Sequence, residues 1–434
     1  MRRAFETQTT GTIRIPAGVI EITSELRLPP GSHDLEIVGD GSMLKASAQF
    51  HGRSIIVAEG AQRLRFHDFA IDGNRAQLAA RPIEMVPPEN ALRNYYAGNG
   101  ILADRVEGLE ITGVRFSEIA GFPVLVSRSS HVRISQVLVE DSGSKNAKMR
   151  NNLTGGILIE EATSDFEVRE SIFRRILGNG LWTHSLLTSE RLKDGLFTGN
   201  RFEMIGRDAI QIGHATNVKV DRNKGENIGY PAEAVDVENG GTPVAIDTAG
   251  NVDHTEYTRN HFEEINGKCF DLDGFHDGLV KENECINRKA PEAYIYGHYG
   301  IVMNNTSPEV RAENVTIEEN LIDTTKYGAL FVMGRNNHIL RNRFLHINMS
   351  QCPETKEFVC VYSNAEPKLL QSGIYLGRGV ARLEETRGNV VEGNTITGHK
   401  MRTRCITAGP GVRPGANTVQ GNTCEDFSTE RSRP

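Results

Sequence analysis

Several residue types and patterns are scarce in this 434-residue chain, and each scarcity argues against a class of protein. No run of about 18 apolar residues occurs, which excludes a transmembrane helix. Lysine and arginine form no clusters and the net charge is −7, which argues against a nucleic-acid or anionic-membrane surface. The charge imbalance is too small, and β-branched residues are too frequent, for a disordered chain. We therefore expect a folded protein with neither nucleic acid nor a membrane as partner.

Cysteine is confined to the C-terminal half, where six are found and none forms a CxxC pair. This spacing argues against a zinc ribbon or a thioredoxin-type motif. Cys352 and Cys360 bracket a short polar loop, and the sequence leaves a disulfide and two free thiols equally open there. Cys285 and Cys424 occupy an apolar position of the repeat described below, so we expect them to be buried thiols.

The N-terminus lacks a complete export signal. It begins with Met1-Arg2-Arg3, but the apolar stretch of a signal peptide does not follow. A cytoplasmic protein and an exported protein whose signal is not part of this chain are both compatible with this start. Of the two, we expect an extracellular or periplasmic protein.

A repeat of two short phrases runs through the chain. The second phrase is a small residue followed by a strand-like alternation, as at 155–160, 180–185 and 208–214. The first phrase ends in Asn with an apolar residue two positions later, and its copies, including two weaker ones at Asn223 and Asn283, lie at Asn200, Asn223, Asn260, Asn283, Asn320, Asn342, Asn394 and Asn422. Repeats with two short strands and with Gly and Asn at the corners are typical of a parallel β-solenoid.

The repeat favours an all-β fold, a single-stranded right-handed parallel β-helix. A leucine-rich repeat would show LxxLxL spacing, a helical solenoid a period of 3.6, and a propeller four strands per roughly 40–50 residues. We expect one domain over 1–434, with an N-terminal cap and first coils at 11–72 and regular coils at 99–427. Asn260, Asn283, Asn320 and Asn342 should then lie at one corner of successive coils, where Asn tolerates the left-handed conformation.

The N-terminal segment carries a more specific likeness. Its phrases IPAGVIEI, LRLP and LEIVGDGS resemble the opening coils of the pectin-lyase-like superfamily, in which an IxGDGS corner precedes the regular coils. The resemblance implies a β-helix and a polysaccharide-related function. It does not choose a reaction, because the superfamily includes lyases, hydrolases, epimerases, esterases and phage tail adhesins.

Insertions interrupt the repeat and read as loops that project from the coils. They are polar or contain Pro and Gly, and loops of this length commonly wall a binding cleft. They lie at 75–98, 142–154, 186–193, 229–241, 288–298 and 350–371.

Alternation assigns the side chains of the second phrase to two faces. The inward pairs are predicted as Leu181/Thr183, Ile210/Ile212, Val244/Ile246, Phe270/Leu272, Ile301/Met303, Leu330/Val332 and Ile374/Leu376. One outward column then contains Trp182, Gln211, Ala245, Asp271, Val302, Phe331 and Tyr375. The next contains His184, Gly213, Asp247, Asp273, Asn304, Met333 and Gly377.

Asp247, Asp271 and Asp273 are the main catalytic candidates. Coils about 4.8 Å apart would bring them together, and repulsion should raise the pKa of at least one of them. We expect Asp273 to act as the acid, and Asp247 or Asp271 as base or nucleophile, with His184 nearby as a further catalytic candidate. Paired carboxylates with displaced pKa values are what glycosidic hydrolysis requires. The alternative is a row of ordinary, solvated surface aspartates.

Further outward residues are candidates for sugar binding. Trp182 and Tyr375 offer aromatic faces on which a sugar ring stacks; for Trp182 the alternative is that a projecting loop covers it. The other candidates for substrate binding are Gln211, His214, His276, Asp277, Asn304, Asn305, Arg335 and Arg378.

These residues predict a carbohydrate-active enzyme that cleaves glycosidic bonds of a poly- or oligosaccharide as a hydrolase or transglycosylase. The aspartates, and the absence of an outward lysine in the central columns, favour hydrolysis over a uronate lyase or epimerase. A non-catalytic glycan-binding β-helix is a further alternative. Neither HxH nor HExxH spacing occurs, so we expect no metal catalyst and no cofactor, with a bridging Ca²⁺ left open. A monomer and a homotrimer are both compatible with the sequence.

Overall fold

The computed structural model describes residues 1–78, 90–94, 98–146, 149–151, 154–236, 242–297, 299–351, 366, 368–379 and 382–427. These residues form two compact units. The first unit comprises Met1–Lys224 and Tyr230–Gly241, and the second comprises Gly225–Gly229 and Thr242–Pro434. The strand Lys224–Ile228 contains the boundary between them. The expectation of one domain over the whole chain stays a prediction.

Strands of the first unit stack in parallel into three sheets, to which each coil contributes one strand. Sheet A1 contains the second half of Ser42–Glu59, then Asn99–Asp104, Val124–Ser127, Gly155–Glu160, Asn179–His184 and the first half of Ile210–Asp221. Sheet B1 contains Gly11–Ile15, His33–Gly39, Gln62–His67, Glu107–Thr112, Ser130–Ser135, Ser164–Arg169, Leu192–Thr198 and the second half of Ile210–Asp221. Sheet C1 contains Gly18–Arg27, the first half of Ser42–Glu59, Ala70–Asp72, Arg115–Ser117, Leu138–Glu140, Ile172–Ile176 and Arg201–Ile205.

The second unit repeats this arrangement. Sheet A2 contains Val244–Asp253, Lys268–Asp273, Ile301–Asn304, Leu330–Val332, Ile374–Leu376 and Ile406–Ala408, with Phe275–His276 beside the end of its first strand. Sheet B2 contains Glu256–Thr258, Leu279–Lys281, Thr316–Glu318, His338–Leu340, Val390–Glu392 and Thr418–Gln420. Sheet C2 contains His261–Ile265, Glu284–Ile286, Leu321–Asp323, Arg343–Ile347, Thr395–Gly398 and Thr423–Asp426.

The described helices are short. Three are α-helical, Arg2–Thr7, Arg75–Leu78 and Met401–Arg404. Four are 3₁₀ turns, Leu92–Asn94, Ala232–Ala234, Pro291–Ala293 and Leu369–Gln371, and all four fall within predicted loop insertions. The first helix covers the open edge of the first unit: Phe5 is fully buried, and the Arg2 guanidinium donates to the carbonyls of Ser24 and Glu25.

The core of each unit lies between its three sheets, and most predicted inward residues are there. Leu181 pairs with Ile210, Phe270 with Ile301, and Leu330 with Ile374, all fully buried. The prediction of an all-β parallel β-helix is therefore confirmed.

The predicted asparagine corner is confirmed in the second unit, but the left-handed residue there is the one before each Asn, such as Arg259, Glu282 and Glu319, and not the Asn itself. The side-chain amide of each Asn donates to the side-chain oxygen of the next, at 2.9 to 3.0 Å, from Asn260 through Asn283, Asn320, Asn342 and Asn394 to Asn422. In the first unit Asn200 donates to Asn223 in the same way, at 3.0 Å. Because these amides are buried, each bond satisfies polar groups that would otherwise lose water without replacement.

The prediction of buried free thiols is wrong. Cys285 forms a disulfide with Cys269, and Cys424 forms one with Cys405. Each bond joins a strand of sheet A2, or the residue just before it, to sheet C2, so both cross the core of the second unit. Cys352 and Cys360 lie outside the described residues.

Candidate functional site

Three aspartates lie on sheet A2 where sequence analysis sought the catalytic carboxylates. Asp247 and Asp271 are register partners on adjacent strands, and Asp273 is two residues further along the second strand, in register with Asn304. All three are half-buried. Alternation places Asp271 and Asp273 on the same face, with Asp247 one coil away.

The register of Asp247 differs from the prediction by two residues. The sequence predicts Ala245 beside Asp271, because alternation makes Val244 and Ile246 the inward pair. In the structure Ile246 and Thr248 pair with the inward Phe270 and Leu272. The polar Thr248 hydroxyl can be buried in the core because it forms a 2.7 Å hydrogen bond with the Tyr257 hydroxyl. Asp271, not Asp273, is therefore the neighbour of Asp247 in the next coil.

Asp271 is held by a lysine. The Lys268 ammonium lies 2.5 Å from Asp271 Oδ2, and both side chains are largely buried. Within the described residues, the buried Asp271 Oδ1 has no hydrogen-bond partner. Neither predicted outward column contains a lysine, but Lys268, at the start of the strand, reaches Asp271. An amine is available beside the carboxylates, which bears on the choice of reaction below.

Asp273 has a different environment. The Thr306 backbone N–H donates to its Oδ1 at 2.7 Å, and the Thr306 hydroxyl donates to its Oδ2 at 2.6 Å. Burial raises the pKa of Asp273, the charge of Asp271 raises it further, and the Thr306 bonds and Lys268 act in the opposite direction. The direction agrees with the prediction, but burial rather than repulsion is the larger cause.

Two predicted sugar-binding residues of the second unit are buried, which contradicts that role. Tyr375 is fully buried and donates to Glu366 Oε2 at 2.7 Å. Asn305 is fully buried, and its amide donates to the Val310 carbonyl at 2.7 Å and to Glu384. Both were read as outward because alternation does not reveal which loop segments cover a strand.

The other candidates of the second unit lie at corners and in ion pairs. His276 Nδ1 lies 2.8 Å from Asp277 Oδ2, and Asp277 Oδ1 accepts from Asn314 at 2.8 Å. Arg335 pairs with Glu313. The Arg378 backbone N–H donates to Glu366 at 2.6 Å. Their role in substrate binding stays a prediction.

Trp182 of the first unit is half-buried in an apolar cluster on the outer face of sheet A1. It packs against a group formed by Val57, Leu92, Leu102, Phe122, Leu125 and Leu158. Its ring centroid lies 6.2 Å from that of Phe122 and 5.1 Å from that of His184. Leu92, from the insertion at 75–98, belongs to the same cluster, so part of that insertion packs on this face. A role of Trp182 in sugar stacking stays a prediction.

His184 continues a polar column along the same sheet. Register pairs Asp104 with Ser127, Ser127 with Glu160, and Glu160 with His184. Glu160 is fully buried and accepts from the backbone N–H groups of Leu92 and Arg93 at 2.8 and 2.9 Å. Burial raises its pKa to about 7.

Sequence reasoning missed Glu160 and Glu161, although a signal was present. Glu160 ends the phrase GGILIE, at the strand position that His184 occupies in the next coil. Extending the outward columns one coil towards the N-terminus would have included it. His184 belongs to the first unit and the three aspartates to the second, so their predicted proximity stays a prediction.

His214 and Gln211 complete the predicted residues of the first unit. His214 is 8% exposed, and burial lowers the pKa of both His214 and His184. Gln211 Oε1 accepts from the Asn179 amide at 2.8 Å. Within the described residues, one group of side chains is suited to hold a metal ion, Glu160, Glu161 and His184.

Comparison with known proteins agrees with this fold. Residues 89–251 match the family model described as a right handed beta helix region. No curated protein shows significant similarity to the sequence. The chain is a right-handed parallel β-helix. No helix of the described residues is long and apolar enough to cross a membrane.

Three solved structures illustrate the range of similar proteins. The surface adhesin PfbA of Streptococcus pneumoniae has a TM-score of 0.55 at 11% identity, with 79% of this chain and 86% of that chain covered. The A-module of the mannuronan C-5 epimerase AlgE4 of Azotobacter vinelandii has a TM-score of 0.53 at 11% identity, covering 97% and 91%. The family 28 exopolygalacturonase of Yersinia enterocolitica has a TM-score of 0.51 at 13% identity, covering 79% and 71%. At these identities the likeness concerns the fold alone.

Proposed function

We propose that this protein is a carbohydrate-active enzyme that cleaves glycosidic bonds of a poly- or oligosaccharide at the aspartates of sheet A2. The observation that carries the proposal is the contrast between two carboxyls on one strand. Burial raises the pKa of Asp273, which suits a proton donor, whereas Asp271 has Lys268 as a compensating positive charge. Two carboxyls with different environments are the arrangement that divides acid and base roles in a glycosidase.

In this proposal Asp273 donates its proton to the glycosidic oxygen as the bond to the anomeric carbon breaks. Asp271 takes a proton from the water that attacks that carbon. Residues two apart on one strand lie roughly 6.5–7 Å apart, at the lower end of the ~6.5–9.5 Å range of inverting enzymes. Asp247, about 4.8 Å from Asp271 by strand spacing, lies instead near the distance of a retaining pair.

The substrate class is supported by the similar structures, two of which are described as a mannuronan epimerase and an exopolygalacturonase. The two disulfides of the second unit support an extracellular or periplasmic location, because such bonds persist in oxidising compartments.

Lys268 favours a second candidate function, a uronate lyase or epimerase. Such an enzyme removes the proton α to a uronate carboxylate, and a nearby amine serves either as the base or as the charge that neutralises the substrate carboxylate. Lys268 is largely buried beside Asp271, and an ammonium paired with a carboxylate is suited to the second of these roles.

A panel of neutral and acidic polysaccharides distinguishes these functions. Release of reducing ends without ultraviolet absorbance supports hydrolysis, and absorbance from unsaturated products supports the lyase. Asp273→Asn and Asp271→Asn should abolish hydrolysis, whereas the exposed turn residue Asp40 provides the matched control Asp40→Asn. Binding of a polysaccharide without either product, unchanged in Asp273→Asn, would contradict the proposal and leave an epimerase or a glycan-binding protein.

A further inference from the structure

A second group of chemically active side chains lies in the first unit, on sheet A1. Glu160 and His184 are register partners on adjacent strands, and Glu161 follows Glu160 at the strand end. One carboxylate oxygen from each glutamate and one ring nitrogen of His184 all lie within 4.8 Å of one another. Neither Glu160 nor Glu161 has a role in the proposed glycosidase reaction.

Two imidazole nitrogens of this region have no partner. His184 Nδ1 and His214 Nδ1 are buried and make no hydrogen bond within the described residues. Leaving a buried polar atom without a partner destabilises the fold, so such atoms are normally satisfied. The charge of Glu161 acts on both rings, which places the two imidazoles and this carboxylate in one neighbourhood.

Backbone groups orient the two glutamates. The N–H groups of Leu92 and Arg93 donate to the two oxygens of Glu160 at 2.8 and 2.9 Å, and the N–H of Leu186 donates to Glu161 Oε1 at 3.0 Å. A carboxylate has about four acceptor positions, so each glutamate retains lone pairs after these bonds. Hydrogen bonds of this kind around a metal site hold the ligands in place.

We propose that the first unit binds a divalent transition-metal ion through Glu160, Glu161 and His184 Nδ1. Imidazole with carboxylate oxygens suits Zn²⁺ and its first-row neighbours, whereas Ca²⁺ and Mg²⁺ take oxygen ligands. His214 Nδ1 is the fourth ligand if its ring turns towards the ion. The ion links the coil to segments 90–94 and 186–189, because their backbone groups already contact these side chains.

Zinc titration of chelator-treated protein tests the proposal by calorimetry, with Zn²⁺ alone as the ligand. The wild type should bind one Zn²⁺ per chain, and its melting temperature should rise. His184→Gln and Glu161→Gln should each weaken binding by about tenfold or more. His51 is exposed in the same unit and provides the matched control His51→Gln, which should bind as the wild type does.

Co²⁺ supplies an independent readout on the wild type, which holds even if a variant fails to fold. Visible absorption bands of a low-symmetry Co²⁺ site, displaced by one equivalent of Zn²⁺, are expected. Two results would overturn the proposal: no saturable Zn²⁺ binding by the wild type, or equal affinity in the wild type and in folded His184→Gln. Circular dichroism of the metal-free variants establishes that they are folded.

Discussion

The outer faces of sheets A1 and A2 both carry a row of carboxylates, but the two units compensate that charge differently. In the first unit Asp104 is paired with Arg128, and Glu160 accepts two backbone N–H groups beneath the segment that contains Leu92. In the second unit Asp271 is paired with Lys268, whereas the hydrogen bonds to Asp273 among the described residues come from the neutral N–H and hydroxyl of Thr306. A row of carboxylates is thus a common product of coil stacking, and its chemistry depends on what covers and neutralises it.

The largest expected effect separates Asp273 from Asp104. Asp273→Asn should lower kcat on the substrate that the polysaccharide panel identifies by about 10³-fold, within the range of lost general acid catalysis, and should not lower the melting temperature. Asp104→Asn should do the reverse. It leaves the Arg128 guanidinium without its partner and lowers the free energy of unfolding by about 1.5–3 kcal/mol, with kcat retained. Equal losses of activity in Asp273→Asn and Asp104→Asn would contradict the expectation that the carboxylates of sheet A2 are catalytic and those of sheet A1 are structural.

Disulfides occur in the described part of the second unit and are absent from that of the first. The Cys269–Cys285 bond closes a loop of sequence separation 16, and its removal in the Cys269→Ala/Cys285→Ala variant should cost about 3 kcal/mol. Hydrogen exchange measured by mass spectrometry should show faster exchange in sheets A2 and C2. Unchanged exchange there, or an equal increase in sheet A1, would contradict this expectation.

The asparagine ladder of the second unit contains internal and terminal positions that should differ. Asn320 accepts from Asn283 and donates to Asn342 and to the Val280 carbonyl, all in a buried corner. Asn320→Ala should therefore destabilise by about 2–3 kcal/mol, because several buried partners are left unpaired. Asn422→Ala, at the last rung of the described ladder, should cost less than about 1 kcal/mol. Urea unfolding curves of the two variants measure the difference.

The pH dependence of stability should have opposite signs at Asp273 and Asp141. The raised pKa of Asp273 favours its protonated form in the folded state, so its contribution falls as the pH rises from its ordinary value through the raised one. The Arg175 guanidinium lowers the pKa of Asp141, so that contribution is present above the ordinary value and is lost as the pH falls through the lowered one.

Unfolding measured from about pH 3 to pH 6, around the ordinary carboxyl value, tests these signs. Asp273→Asn should be relatively more stable than the wild type towards pH 6. Asp141→Asn should be relatively less stable there. Parallel pH curves for the wild type and both variants would contradict the assignment.

Much of the fold could be predicted from the sequence because each coil of the stack repeats the same local pattern of residues. Period-2 alternation identified most inward residues, and the Asn spacing located a corner correctly even in its weaker copies. Thr248 broke the alternation rule, since its inward position depends on a hydrogen bond to Tyr257 that lies nine residues away. The disulfide partners, the Lys268–Asp271 pair and the burial of Tyr375 and Asn305 depend on contacts between coils and loops. The residue pattern within a single coil contains no information on these contacts.

The helix Arg2–Thr7 has a consequence for association between molecules. The strands Gly11–Ile15 and Gly18–Arg27 each pair on one side only among the described residues, so they form the first rung of the first unit. An uncovered rung of this kind is a template for end-to-end growth into fibres. The helix covers this edge in two ways. Its Phe5 side chain is fully buried, and its Arg2 guanidinium donates hydrogen bonds to the carbonyls of Ser24 and Glu25. The helix thus covers an edge that would otherwise be free to pair with a strand of another molecule.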